Sequence, residues 1–267
     1  MNSDLSLVNS SSILEPMQWE EPEIIQIEEV ATKALEWAYR LTNLLHYDFV
    51  ANVTDIDVSN LGFISSSVDK VEEISSAFEN QQVHQASAPL VNNTSDVIKL
   101  NSQFYSYTCT NEKWSQISKG INVIFAPNVK FTESISGILK VNLNWANTEI
   151  KKEIITTDLA APSQSVPVPP HSTRYVKYIL TRKKTKFKLY LSGVISGNIF
   201  GKINLKSGEK IDYSISIGFA AYCLEIMDQS PAGVSRNKDK TKMNFNGFGK
   251  IESIDASNLI VFIDDNE

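Results

Sequence analysis

The chain has 267 residues, 42% of them apolar, and carries 25 basic against 31 acidic side chains for a net charge of −6. That is enough for one large or two modest domains with a real core, and the acidic balance argues against nucleic acid as a partner. The two cysteines, Cys109 and Cys223, match neither a metal spacing nor a disulfide framework. No apolar run approaches the ~18 residues of a transmembrane helix. The N-terminal stretch "MNSDLSLVNSSSILEP" lacks the basic region and apolar run of a standard signal peptide.

In chain order, the first predicted element is an amphipathic helix between Pro22 and about Asp48, with Ile27, Val30, Ala34, Ala38, Leu41 and Leu45 at helical spacing. Turns follow, and a second helix is expected around Val68 to Phe78. From Val91 onward Ser, Thr, Asn, Val and Ile alternate, with Pro and Gly as punctuation, and the rest reads as β. The expected strands are Val97 to Thr110, Ile117 to Phe125, Val129 to Trp145, Glu149 to Thr157, Thr173 to Thr181, Lys186 to Ile203, Lys210 to Met227, and Met243 to Ile263 with an internal turn. Several are long, so an elongated molecule is expected. Residues 228–242 read as a polar, mobile loop. No repeat at a fixed period is present.

The stretch "NVKFTESISGILKVNLNW", residues 128–145, places Val129, Phe131, Ile135, Leu139, Val141, Leu143 and Trp145 at odd positions. Such a period of two makes a strand with one apolar and one polar face. Upstream, Ile117, Ile121, Val123 and Phe125 share the parity, and Ala126, Pro127 and Asn128 make a plausible turn. The expectation is one amphipathic hairpin over 117–145, with Lys119 and Glu133 facing each other across it. Arms of about 10 residues have the dimensions of a transmembrane β-hairpin. A lone hairpin cannot span lipid because its edges expose unpaired backbone groups, so several copies must close into a barrel. The plainer alternative is that the apolar face packs on the protein's own core.

"APLVNNTSD" (88–96) introduces the first long strand. "APSQSVPVPPHSTRYV" (161–176) carries Pro162, Ser163, Gln164, Val166, Val168, Pro169 and Pro170. With "LYLSGVISGNIFG" (189–201) and "NFNGFGKIESIDASNLIVFI" (244–263), this order of motifs resembles the epsilon-toxin/mosquitocidal-toxin family of aerolysin-like β-pore-forming toxins, over roughly Ala88 to Ile263; His171 stands where the family has Gly. The resemblance implies a mainly β, elongated aerolysin-like fold of long antiparallel strands with a small α-containing N-terminal cap. It divides the chain into a receptor-binding cap (1–92), a long-strand middle domain (93–180) with the insertion hairpin, and a C-terminal β-sandwich (181–267), with strands free to cross those boundaries. It also implies a toxin, stored in a bacterial crystal inclusion or extracellular, that binds a glycan or protein receptor, is trimmed by protease, oligomerises and inserts the hairpin into the target-cell membrane. The insertion residues are then Ile117, Lys119, Ile121, Val123, Phe125, Val129, Phe131, Glu133, Ile135 and Leu139. In the cap, Trp37, Tyr39 and Tyr47 become the receptor-binding residues. The charged interruption at Lys119 and Glu133 fits a second reading, a receptor- or carbohydrate-binding or crystal storage protein of the same fold that makes no pore.

The remaining features are less specific. In "RYVKYILTRKKTKFK" (174–188), Arg182, Lys184, Lys186 and Lys188 share one parity, which reads as a solvated strand face. The aromatics of the first third also suit simple packing of the helix. His46, His84 and His171 lie apart, no nucleophile, phosphate or dinucleotide motif occurs, and no metal, cofactor or enzymatic activity is expected. "DIDVSN" from Asp55 has Asn60 where a calcium loop needs Gly, and reads as a capped turn.

Overall fold

The computed structural model describes residues 19, 21–43, 50–85, 89–123, 128–131, 141–146 and 149–265. In chain order the elements are β1 (Glu23–Gln26), α1 (Ile27–Thr42), β2 (Val50–Asp57), β3 (Gly62–Gln85), β4 (Leu90–Asn92), β5 (Ile98–Asn101), β6 (Tyr105–Asn122), β7 (Asn128–Phe131), β8 (Val141–Asn144), β9 (Lys151–Ala161), β10 (Ser165–Val168), β11 (Ser172–Ser196), β12 (Asn198–Leu205), β13 (Lys210–Ser216), α2 (Ile217–Ile226), β14 (Val234–Arg236) and β15 (Met243–Asp264).

Four of these strands, β3, β6, β11 and β15, run for 24, 18, 25 and 22 residues. At about 3.3 Å per residue β11 spans roughly 80 Å. They lie side by side in the order β6-β15-β11-β3. Strand β9 continues the sheet beyond residues 105–115 of β6, and β1 pairs in parallel with residues 119–122 of the same strand. This is the elongated, mainly β, aerolysin-like fold. At one end α1, α2 and the three-stranded sheet β13-β12-β2 close over the main sheet. Helix α1 buries Ile27, Val30, Ala31, Ala34, Leu35, Ala38 and Tyr39 there, one stripe of an amphipathic helix. At the other end Ala161, Val176 and Tyr178 form a small second core with Leu90, Tyr105, Leu259 and Val261. Between the two cores the interior turns polar: Thr185, Ser253 and Lys113, aligned across three strands, are all buried.

Four expectations are corrected. Residues 68–78 are strand. Leu189 and Leu191, two apart on β11, face Val71 and Val68, three apart on β3, because Asp69 is an extra bulged residue. That spacing imitates a helical period. Residues 217–226, expected in a strand, form α2, which starts where the Ser216 hydroxyl accepts the Phe219 N–H at 3.2 Å. The helix is apolar through all but its last turn, where Glu225 and Ile226 are exposed, because most of its surface is buried, so it shows no amphipathic period. The turn expected inside β15 is a one-residue irregularity opposite Thr181 and Arg182. Residues 228–242, expected as a polar loop, contain β14 and a turn tied by Asn237 to Lys242 and Asn244.

Candidate membrane-insertion segment and cap groove

Strands β7 and β8 form a hairpin of their own, pairing Asn128 with Asn144, Val129 with Leu143, Lys130 with Asn142 and Phe131 with Val141. The pairs are symmetric about residue 136, so the arms do not fold about a turn at 126–128. Apolar residues oppose apolar ones, as the odd-position pattern requires. Leu143 is 5% exposed and Trp145 is fully buried, both within the main core. At the end of the second arm these two side chains are covered by the protein's own sheet.

Ile117, Lys119 and Ile121 belong to β6, outside that hairpin, and Val123 follows it directly. Ile117, Ile121 and Val123 are buried in the main core. Lys119 is aligned with Phe248 on one side and Glu23 on the other, and its ammonium lies 3.7 Å from the Glu23 carboxylate. Lys119 therefore has partners on β15 and β1. Phe125, Glu133, Ile135 and Leu139 lie outside the described residues, and Val129 and Phe131 are placed in β7 by their register.

In the cap, Tyr39 is 6% exposed and packs edge-on against Tyr213 at 5.6 Å between centroids. Its ring is part of the core and is not offered to solvent. Trp37 is partly buried under the Arg40 guanidinium at 5.4 Å, and Tyr47 lies outside the described residues. Among the described residues the cap's exposed aromatic is Phe200, which sequence parity gave no reason to single out. It borders a groove of about 370 Å³ with Asp55, Lys202, Asp212, Tyr213 and Ser214. Asp55 takes a left-handed backbone, φ 51°, and accepts a hydrogen bond from the Lys202 ammonium at 2.7 Å. That hydrogen bond, with the charge attraction, holds the Asp55 carboxyl below its ordinary range and raises the Lys202 amine. The neighbouring turn is capped as expected: Asp57 accepts the Ser59 N–H at 2.8 Å.

The basic run is less solvated than its parity suggested. Lys184 pairs with Glu252 at 2.9 Å and Lys177 with Asp264 at 3.1 Å, while Lys188 lies over the Tyr190 and Phe248 rings. Neighbouring strands neutralise much of it. Cys109 and Cys223 are both buried, and burial pushes the Cys223 thiol up to about 11. Among the described residues no cluster of His, Cys, Asp and Glu is arranged to hold a metal ion.

Long strands running the length of the molecule, with an apolar hairpin stored on their face, define an aerolysin-like protein. Residues 55–266 match the model of the Clostridium epsilon toxin ETX/Bacillus mosquitocidal toxin MTX2 family, and the chain belongs to this family of β-pore-forming toxins. The match begins well before the Ala88 at which the short motifs start. Among solved structures, a non-toxic crystal protein from Bacillus thuringiensis is similar at 16% identity and a TM-score of 0.63, over 90% of this chain and 96% of that one. The Mpp75Aa1.1 β-pore-forming protein from Brevibacillus laterosporus is similar at 13% identity and a TM-score of 0.62, over 91% and 90% of the two chains. A chain of the Cry23Aa1 and Cry37Aa1 binary protein complex has 16% identity and a TM-score of 0.54, over 91% and 96%. At these identities the likeness is one of fold. No curated protein sequence matched.

Proposed function

We propose that this protein is a β-pore-forming toxin, made as a crystal inclusion or released outside the cell, that binds target-cell membranes, oligomerises and inserts the hairpin centred on residue 136. The observation that carries the reading is the hairpin itself: β7 paired with β8, apolar residues opposite apolar ones in register, with Leu143 and the adjoining Trp145 buried in the main core, in a chain of a pore-forming family. Assembly satisfies the ribbon's free edges, and acyl chains then replace the sheet as cover. Arms of about 10 residues either side of residue 136 fill the requirement of a membrane strand. Lys119 then falls outside the span, and Glu133 falls near the tip that crosses to the far interface, so neither charge needs to sit at mid-bilayer. Receptor contact is assigned to the groove beside Phe200, whose exposed ring, carboxylates and ammonium suit a polyhydroxylated ligand such as a glycan.

Parity provides the test. Val129→Lys puts a charge on the lipid face at a cost of about 2–4 kcal/mol per copy, while Asn128→Lys puts the same charge on the lumen face. Dye release from membranes of responsive cells, with and without trypsin treatment, is expected to be abolished by Val129→Lys and retained by Asn128→Lys, with cell binding intact in both. Equal leakage from the two variants excludes this hairpin. The similarity to a non-toxic crystal protein supports a second reading, a binding or storage protein of the same fold. Absence of leakage and of heat-resistant rings on any membrane selects it.

A further inference from the structure

Trp145 stands directly after the second arm of the hairpin, and its indole fills a fitted slot in the main sheet. Its Nε1–H donates to the Ser66 hydroxyl at 2.8 Å. The ring stacks on Phe63, with 5.3 Å between centroids and 12° between planes, and meets Phe245 edge-on at 5.3 Å and 69°. Glycines clear the space. A Cβ on Gly247 would stand 2.9 Å from Trp145 Cζ3, and one on Gly249 would stand 3.2 Å from Leu143 Cδ1. A Cβ on Gly193 would collide with the Phe63 ring, and one on Gly120 with the Trp145 carbonyl. Leu189, Leu191, Ile195, Met243 and Ile251 are buried on these same strands, so side chains are missing just where the hairpin and its Phe63 lid rest.

From this we infer that Trp145 is the latch of the stored hairpin: withdrawing its indole from the slot formed by Phe63, Ser66, Phe245 and Gly247 is the step that frees the ribbon. The slot fits the indole, since it combines one stacked ring, one edge-on ring and a hydrogen-bond acceptor placed for the Nε1–H. The consequence for leakage rests on the pore-forming reading above; the latch itself does not.

Hydrogen exchange of the purified full chain reads the latch directly, because it reports local opening separately from global unfolding. Ser66→Ala, which deletes one partly buried hydrogen bond, is expected to speed exchange of the β7 and β8 amides about five- to tenfold. Trp145→Phe is expected to do at least as much, with β11 and β15 unchanged. Ser67→Ala, whose hydroxyl instead bonds Ser192 and Asp69 at 2.9 and 2.8 Å, leaves the hairpin unaffected. Unchanged hairpin exchange in both slot variants overturns the latch, and so does an equal acceleration throughout the sheet. Selective loosening accompanied by leakage at lower protein concentration supports both inferences. Selective loosening with no leakage from any membrane keeps the latch and removes the pore.

Discussion

Asp255 shares a narrow recess with Asn111, Lys113, Glu153 and Ser253. Burial pushes its carboxyl above the ordinary 3.8, while a hydrogen bond from Ser253 and the charges of Lys113 and Lys183 pull back. Glu153 behaves oppositely: burial raises it, but hydrogen bonds and charge from Lys113 and Lys151 outweigh burial and hold it below 4.5. A raised carboxyl is less comfortable ionised in the fold than in the open chain. Its cost is therefore present at neutral pH and disappears as pH falls through the folded value to below 3.8. Asp255→Asn is expected to be more stable than the parent at pH 7, with the difference shrinking towards pH ~3.5. Denaturant midpoints of both proteins at the two pH values check this, and a constant difference contradicts it. Glu153 contributes stability above 4.5 that is lost on acidification, and it does so in both proteins. His171 shows how much one residue can reveal. It occupies the family's Gly position and has φ 48°, a left-handed backbone where Gly is the unstrained choice. Beside it the buried Asn92 amide donates to the Val168 and Pro169 carbonyls at 2.9 Å, joining the two motifs at 88–96 and 161–176. Those motifs were legible as text; that one holds the other was not.

At the level of elements, periodicity succeeded where a strand or helix has one neighbour and failed where it has several or is bulged. Helix α1 shows its stripe because only one side is covered. Helix α2 is covered over most of its surface, and Ser216 followed by a run containing Ala220 and Ala221 was the only signal available. Strand β3 is the outer strand of the main sheet and carries register shifts at four places against β11, with Ile64 and Ile74, two of the extra residues, more than half exposed. An edge of 24 residues is a template for unwanted pairing, and bulges twist it away from partners. Deleting Asp69 leaves Val68 and Val71 alternating on one face and flattens the edge locally. The variant is expected to keep its far-UV circular dichroism and to self-associate more strongly than the parent in analytical ultracentrifugation. An unchanged association constant removes edge protection as the reason for the bulge.

For the whole molecule, the long strands decide cooperativity. Strand β11 passes through the 180/181 boundary expected between the middle and C-terminal regions, and β11 and β15 reach from the cap-end core to the far one. Neither core can lose its strands without the other. Lys184 with Glu252 at 2.9 Å and Lys113 with Glu153 at 2.8 Å bridge neighbouring strands in the polar stretch between them. A single unfolding transition is expected, with coincident denaturant curves from tryptophan fluorescence, which reports among others the buried Trp145 of the cap-end core, and from far-UV circular dichroism. Two separated transitions mean that the regions fold as independent domains.

The amino-acid sequence alone determined that the chain is mainly β, that its first helix is amphipathic, that apolar residues at odd positions over 128–145 alternate with polar ones, and that the motif order is that of a pore-forming family. Each of these is a local property, set by side-chain period or by residues close together in the chain. Tertiary structure decided the hairpin's centre at residue 136, the pairing of Lys119 with Glu23, the burial of Tyr39 in favour of Phe200, and the glycine-cleared slot for Trp145. Register and cover depend on partners a hundred residues away, and a strand's own alternation is the same whichever partner it meets.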